Sequence, residues 1–310
     1  MHHAALAALG LPWVYTLLPT PPALVGDAVR GLRALGFVGA NVTAPHKQAV
    51  IPFLDRLTPA AAAIGAVNTI TCGVTPRPPA LDTAAPDVLN SCADATGNFI
   101  DTRPSHTPAS HQDMSVERPE LVGDNTDAAG FLADLSAHGI DVRGRQALVI
   151  GAGGASRAVV YALASAGCRV VIVNRSPAHA HAVAAMVAQV WPGHPVACGQ
   201  FPGDIARWAV EVDLVVNTTS LGMWPTDDGL PWDPAVAFRP GQVVYDLVYT
   251  PRPTAFLRRA ATDGARPIDG LGMLVEQGAA ALAQWTGRVP PRTVMRQAAV
   301  QQLDRRFSTR

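Results

Sequence analysis

The sequence predicts an α/β protein of two domains. Its 310 residues exceed what one small core requires. Short apolar runs alternate with stretches of helical periodicity near the start of the chain and again from residue 145. The turn Gly151-Ala152-Gly153-Gly154-Ala155-Ser156 joins one such run to a helical one. Strand–helix–strand alternation at these intervals indicates a parallel sheet covered by helices on both faces.

Taken in order, the chain opens at Met1-His2-His3-Ala4-Ala5-Leu6 with an amphipathic helix, followed by a strand near residues 13–17. Residues 22–35 have helical spacing and stop at Gly36, a residue suited to the position just past a helix end. Residues 38–42 read as a short strand and 45–57 as a helix with proline in its first turn. Residues 72–120 break the pattern: they are rich in Pro, Thr, Ser, Ala and Asp, with no sustained apolar period, and predict a disordered surface insertion. A helix runs through Phe131 and Leu135, and either Thr126 or Asp127 could cap it. Residues 147–150, 169–173, 213–216 and 243–247 are strands, with helices after the glycine turn through Ala166 and over 177–190. Two further helices, 271–285 and 293–307, finish the chain. The expected domains are residues 1–126, joined by 270–310, and a Rossmann-like unit over 127–269.

Lys+Arg and Asp+Glu balance at 24 each, which argues against nucleic acid or a membrane surface bound by bulk charge. No apolar run reaches the roughly 18 residues of a membrane span, and the start lacks the basic n-region of a signal peptide. The four cysteines are scattered without a C-x-x-C pair, as expected of free thiols in a reducing, cytoplasmic setting, and no metal site is expected. His179 and His181 fall on different faces of a helix and read as surface residues.

Lys47 is the only lysine among the 24 basic residues. Arginine stays protonated at any working pH, whereas a lysine amine can exchange its proton, so a proton-transfer step could require this one residue. Its context is Asn41-Val42-Thr43-Ala44-Pro45-His46-Lys47.

In the glycine turn, Gly151 permits the tight bend and Gly153 lets the backbone approach a pyrophosphate. Gly154 and Ala155 open a helix whose N-terminus offers free N–H groups. The next strand ends Asn174-Arg175-Ser176, where an NAD site usually carries Asp or Glu. Arginine there suits a 2′-phosphate, so NADP is preferred over NAD.

These motifs recur in one family. With Gly65-Ala66-Val67-Asn68-Thr69, Asn125-Thr126-Asp127, Asn217-Thr218-Thr219-Ser220-Leu221-Gly222-Met223, Tyr245-Asp246-Leu247-Val248-Tyr249 and Gly272-Met273-Leu274-Val275-Glu276-Gln277, the chain resembles shikimate dehydrogenase over nearly its whole length. The resemblance implies NADP-linked interconversion of 3-dehydroshikimate and shikimate, a step of aromatic amino acid biosynthesis. It implies Lys47 and Asp127 as the catalytic pair, with Thr43 and Asn68 on substrate hydroxyls and Tyr249 and Gln277 closing over the ring. Gly151, Gly153, Gly154, Ala155, Asn174, Arg175, Ser176, Met223 and Gly270 would bind the cofactor, Met223 lining the nicotinamide pocket. The expected partners are small molecules only, in a cytoplasmic monomer or homodimer.

Three departures stand out. The family's N-terminal strand and its substrate-gripping serine pair have no counterpart, which predicts an assigned start at an internal methionine and poor turnover of the chain as given. The 72–120 segment falls between Asn68 and Asp127, and His179 stands where NADP-preferring relatives often carry a second arginine. Two alternatives remain open: a quinate/shikimate enzyme using NAD, or a nucleotide-binding paralogue without turnover.

Overall fold

Two sheets organise the chain. The computed structural model describes residues 1–73, 118–226 and 229–307. The first sheet has four strands in the order β1 (Gly39–Asn41), β3 (Thr69–Gly73), β4 (Glu120–Asp124), β2 (Arg56–Leu57). It is mixed: β3 runs antiparallel to β1 and β4, while β2 lies parallel to β4.

The second sheet is entirely parallel, in the order β10 (Arg266–Asp269), β9 (Val243–Asp246), β8 (Leu214–Asn217), β5 (Gln146–Ile150), β6 (Arg169–Asn174), β7 (Val196–Gln200). Renumbered within the sheet this is 3-2-1-4-5-6, the order of dinucleotide-binding sheets, whose switch point lies between β5 and β8. The inner strands β5, β6, β8 and β9 are largely apolar because both faces are covered. Ala147 and Val149 pack on one face with Phe131 and Leu135 of α4 (Asp127–Ala137), Val159 and Leu163 of α5 (Gly154–Ser165) and Val183 of α6 (Pro177–Val190). Leu148 and Ile150 point the other way, into a core with Ile205 of α7 (Ile205–Ala209) and Phe256 of α8 (Ala255–Thr262).

The remaining helices are α1 (His2–Ala8), α2 (Val25–Ala34), α3 (Pro59–Ile64), α9 (Leu271–Thr286) and α10 (Arg292–Phe307). α9 crosses α4 at close range because glycines face the contact: a Cβ on Gly130 would stand 2.7 Å from the Gln277 backbone nitrogen, and one on Gly272 would overlap the Asp134 carboxylate. Asp134 in turn accepts a 2.5 Å hydrogen bond from the Tyr245 hydroxyl, tying α4 to β9.

Several expectations need correction. The helix over 45–57 is absent; residues there form turns, a single 3-10 turn over Ile51–Phe53, and β2. Pro52 supplies no N–H and its ring opposes a helical carbonyl four residues back. The chain instead bonds to β4, with Asp55 N donating to Leu121 O at 3.0 Å and Thr58 N to Gly123 O at 2.9 Å. Residues 13–17 join no ladder among the described residues; Trp13 and Tyr15 pack beside α1 and Trp285. The expected insertion begins and ends too generously, since Cys72 and Gly73 pair with Leu121 and Glu120; residues 74–117 lie outside the described residues. β7, β10, α7 and α8 were not expected: β7 is half-exposed at a sheet edge and β10 carries proline, so neither shows a clean apolar run.

Candidate active site

Lys47 sits on the turn after β1, and Asp127 is the first residue of α4. Lys47 Nζ donates to Asp127 Oδ2 at 2.6 Å, with side-chain exposures of 18% and 6%. Asn68 Nδ2 donates to the other carboxylate oxygen at 2.7 Å. Asn68 enters the cluster because it immediately precedes β3, and the Thr126 backbone N–H donates to its Oδ1 at 2.8 Å. Asn125 Oδ1 accepts from Asp127 N at 3.1 Å, so the first turn of α4 is held from outside. Neither Thr126 nor Asp127 caps α4 through its side chain; the Asp127 oxygens are already taken by Lys47 and Asn68. One of the three N–H donors of Lys47 is committed to Asp127.

The nucleotide side is assembled at the switch point. Gly151 has φ +110°, and a Cβ there would stand 2.6 Å from Thr218 Oγ1. Gly153 is the N-cap of α5 and supplies no side-chain bond, so the N–H groups of the first turn are left for a ligand. A Cβ on Gly153 would meet nothing within 4 Å, leaving open space over the turn. Beside it lies a concavity of about 110 Å³ lined by Gly151, Asn174, Arg175, Phe201, Thr219 and Ser220 among others. Arg175 is exposed at the end of β6 and has no protein partner among the described residues. An open glycine turn, an uncapped helix start and a free guanidinium fit a dinucleotide bearing a 2′-phosphate. The two sides meet at Gly154, where a Cβ would lie 3.4 Å from the Lys47 Cβ.

Comparison with known proteins places the chain in a family. The model of the shikimate dehydrogenase substrate-binding domain matches residues 1–70, that of shikimate/quinate 5-dehydrogenases 133–220, and that of the shikimate 5′-dehydrogenase C-terminal domain 270–300. The shikimate dehydrogenase (NADP(+)) of Moorella thermoacetica is 42% identical over 296 residues, covering 95% of this chain and 85% of that protein. The chain belongs to the shikimate dehydrogenase family. The enzyme of the same name from Salinibacter ruber is 42% identical over 95% of this chain and 89% of its own length. The shikimate 5-dehydrogenase of Thermus thermophilus, solved with NADP(H) and shikimate, matches with a TM-score of 0.72 at 34% identity, covering 97% of this chain and 92% of that one.

Not every residue expected of a shikimate dehydrogenase site is in contact here. Gln277 on α9 reaches the cluster, its Oε1 3.4 Å from Asn68 Nδ2, while its Nε2 donates to Leu274 O at 2.8 Å. Thr43 is exposed, and its hydroxyl makes only a long 3.5 Å contact to Ala44 O. Tyr249 is half-buried, which pushes its phenol above the usual range, and no hydrogen bond to it is present among the described residues. Met223 is 43% exposed. Asn174 lines the concavity, its Nδ2 donating to Ser176 O at 2.9 Å. Ala155 follows Gly154 in the first turn of α5. Gly270 is the N-cap of α9, where a Cβ would overlap the Leu247 carbonyl.

Sequence reasoning missed a second buried network below the nucleotide side. Asp246 accepts from Asn217 Nδ2 at 2.8 Å, Val248 N at 3.0 Å and Thr254 Oγ1 at 2.7 Å. Burial, against those three donors, pushes its carboxyl up to about 6. Asn217 and Asp246 stand in two of the motifs, which was the available signal; their partnership across β8 and β9 was not readable.

Proposed function

We propose that this chain catalyses the NADP-linked interconversion of 3-dehydroshikimate and shikimate, with Lys47 and Asp127 as its catalytic pair. The observation that carries the reading is the 2.6 Å Lys47–Asp127 bond, completed by Asn68, directly against the first residue of the dinucleotide-binding helix. The dinucleotide, held by the 151–156 turn and by Arg175, supplies or accepts the hydride.

The chain's own residues do the rest. In reduction the Lys47 ammonium gives a proton to the oxygen that gains negative charge; in oxidation the neutral amine takes the hydroxyl proton. Asp127 fixes the amine through one oxygen, and Asn68 fixes Asp127 through the other, so the proton donor keeps a single orientation. Asn68, Thr43, Tyr249 and Gln277 are assigned to the substrate hydroxyls and ring; Thr43, exposed at the mouth, reaches its assigned group on binding. The domains are assigned as 1–126 with 270–310 for substrate and 127–269 for NADP. Balanced charge supports small-molecule partners without nucleic acid. Among the described residues no helix is long and apolar enough to cross a membrane. We assign the enzyme to the cytoplasm, as a monomer or homodimer.

The test is D127N, which keeps the shape and the hydrogen-bonding capacity toward Lys47 but removes the charge. We expect kcat to fall by about 10²-fold or more while the Kd for NADP stays within a few-fold. Unchanged kcat would remove Asp127 from the pair.

A further inference from the structure

The short helix α3 ends at Ile64, and its last carbonyls need donors from elsewhere. Gly65 takes the left-handed conformation at φ +66° and its N–H satisfies Ala61 O. The Ile64 carbonyl is satisfied from the other side of the cleft: Arg157 Nε, in the first turns of α5, donates to it at 2.5 Å. The guanidinium lies so close over the turn that a Cβ on Gly65 would stand 2.6 Å from Nη2. Ile64 and Ala66 are themselves fully buried in the core of the parallel sheet.

Residues 64–68 thus form a strap whose successive groups reach the catalytic cluster. Val67 N donates to Lys47 O at 2.7 Å. Ala66 O accepts from Asn125 Nδ2 at 2.8 Å. Asn68 holds Asp127. Arg157 is the strap's hydrogen bond to α5, the helix that receives the dinucleotide. Among the described residues it pairs with no carboxylate, so its partner here is that one carbonyl. Its half-burial lowers its pKa from the usual arginine value, in line with a guanidinium kept in the interface.

We propose that Arg157 is a positioning residue for the reaction: it fixes the 64–68 strap, and through it Lys47 and Asn68, in register with the dinucleotide turn. The inference rests on the assignment of Lys47 and Asn68 given above. Reacting groups held on two separate sheets need such a tie, because a displacement of about 1 Å can cost 10²-fold in rate. The carbonyl accepts any well-placed cationic donor, so lysine at 157 can restore part of the contact, whereas alanine cannot.

The experiment compares R157A and R157K with the wild-type chain in four measurements: kcat, KM for shikimate, Kd for NADPH by its fluorescence, and melting temperature. R157A should lose about 10–100-fold in kcat/KM for shikimate while its Kd for NADPH stays within about three-fold. R157K should recover a measurable part of that loss, about three-fold or more. Wild-type kinetics in R157A overturn the proposal. So does a rise in NADPH Kd that matches the whole kinetic loss, which would make Arg157 a cofactor ligand. If R157K is as impaired as R157A while both melt near the wild-type temperature, the carbonyl contact is not the cause, and the proposal also falls. K47R run alongside separates the two readings: an active K47R removes the assignment of Lys47 itself, whatever the Arg157 variants do.

Discussion

Replacing Lys47 by arginine is the sharpest perturbation of the catalytic pair. The substitution keeps a cation beside Asp127, whose side chain is only 6% exposed and would otherwise be left buried with Asn68 as its sole side-chain partner. Breaking a buried pair costs about 3–5 kcal/mol, and the 18% exposure of Lys47 places this pair toward the low end. Lys47→Ala therefore confounds chemistry with stability, and Lys47→Arg does not. Arginine cannot release its proton at any working pH. A positioned general acid contributes about 10²–10⁴-fold, or about 3–5 kcal/mol of barrier, and all of it should go. The assay is shikimate oxidation with NADP, read as formation of reduced nicotinamide, with the Kd for NADP and the melting temperature measured separately. We expect kcat to collapse while binding changes by no more than a few-fold and the melting temperature holds. A K47R enzyme within about three-fold of wild-type kcat would refute proton transfer by this residue.

Three further outcomes follow from the structure. Arg175→Ala should raise the KM for NADP by about ten-fold or more, the loss of one charge-assisted contact of about 1.5–3 kcal/mol, and leave NAD kinetics nearly unchanged; equal effects on both would show that Arg175 does not read the 2′-phosphate. Burial holds the Asp246 carboxyl at about 6 in the fold against 3.8 unfolded, with Asp269 adding to the rise, so the folded state binds its proton more tightly. Its stabilising contribution is complete below pH 3.8 and is lost as pH rises through about 6, by about 3 kcal/mol. D246N should remove that slope from the difference between the two denaturation curves taken at pH 4 and pH 7; parallel curves would contradict the buried charge. Finally, Gly73 and Glu120 face each other in the β3–β4 ladder, so a two- to four-residue turn can replace residues 74–117. Melting temperature and NADP affinity should survive that deletion, and a large drop in either would count against it.

The parallel sheet was the most legible part of the chain. Strands buried on both faces write continuous apolar runs such as Ala147-Leu148-Val149-Ile150, and the glycine turn marks where the switch point falls. α6 was legible over its full length from its periodicity and leading proline. The four-stranded sheet was harder to read. Its β2 is two residues long and exists only because β4, more than sixty residues later, supplies ladder partners that no local pattern announces. Helical spacing over 45–57 was overridden by Pro52 and by those long-range bonds. In the site, Lys47 and Asp127 were found from residue type and motif, and the geometry joins them. Asn41 was not singled out, although its Oδ1 accepts from the Tyr15 hydroxyl at 2.9 Å and its Nδ2 lies 3.4 Å from Asn68 O. Arg157 stood inside a quoted motif, but its partner lies 93 positions earlier, and only the fold shows the contact.

The central claim is that one cleft joins an NADP site to a lysine that moves the substrate's proton. The most direct test is to supply the purified chain with shikimate and either NADP or NAD, and to follow reduced nicotinamide together with the organic product. The account predicts 3-dehydroshikimate formed in step with NADPH, at a higher kcat/KM with NADP than with NAD. Tight NADP binding with no reduction at saturating shikimate, or faster reduction of NAD, would contradict it.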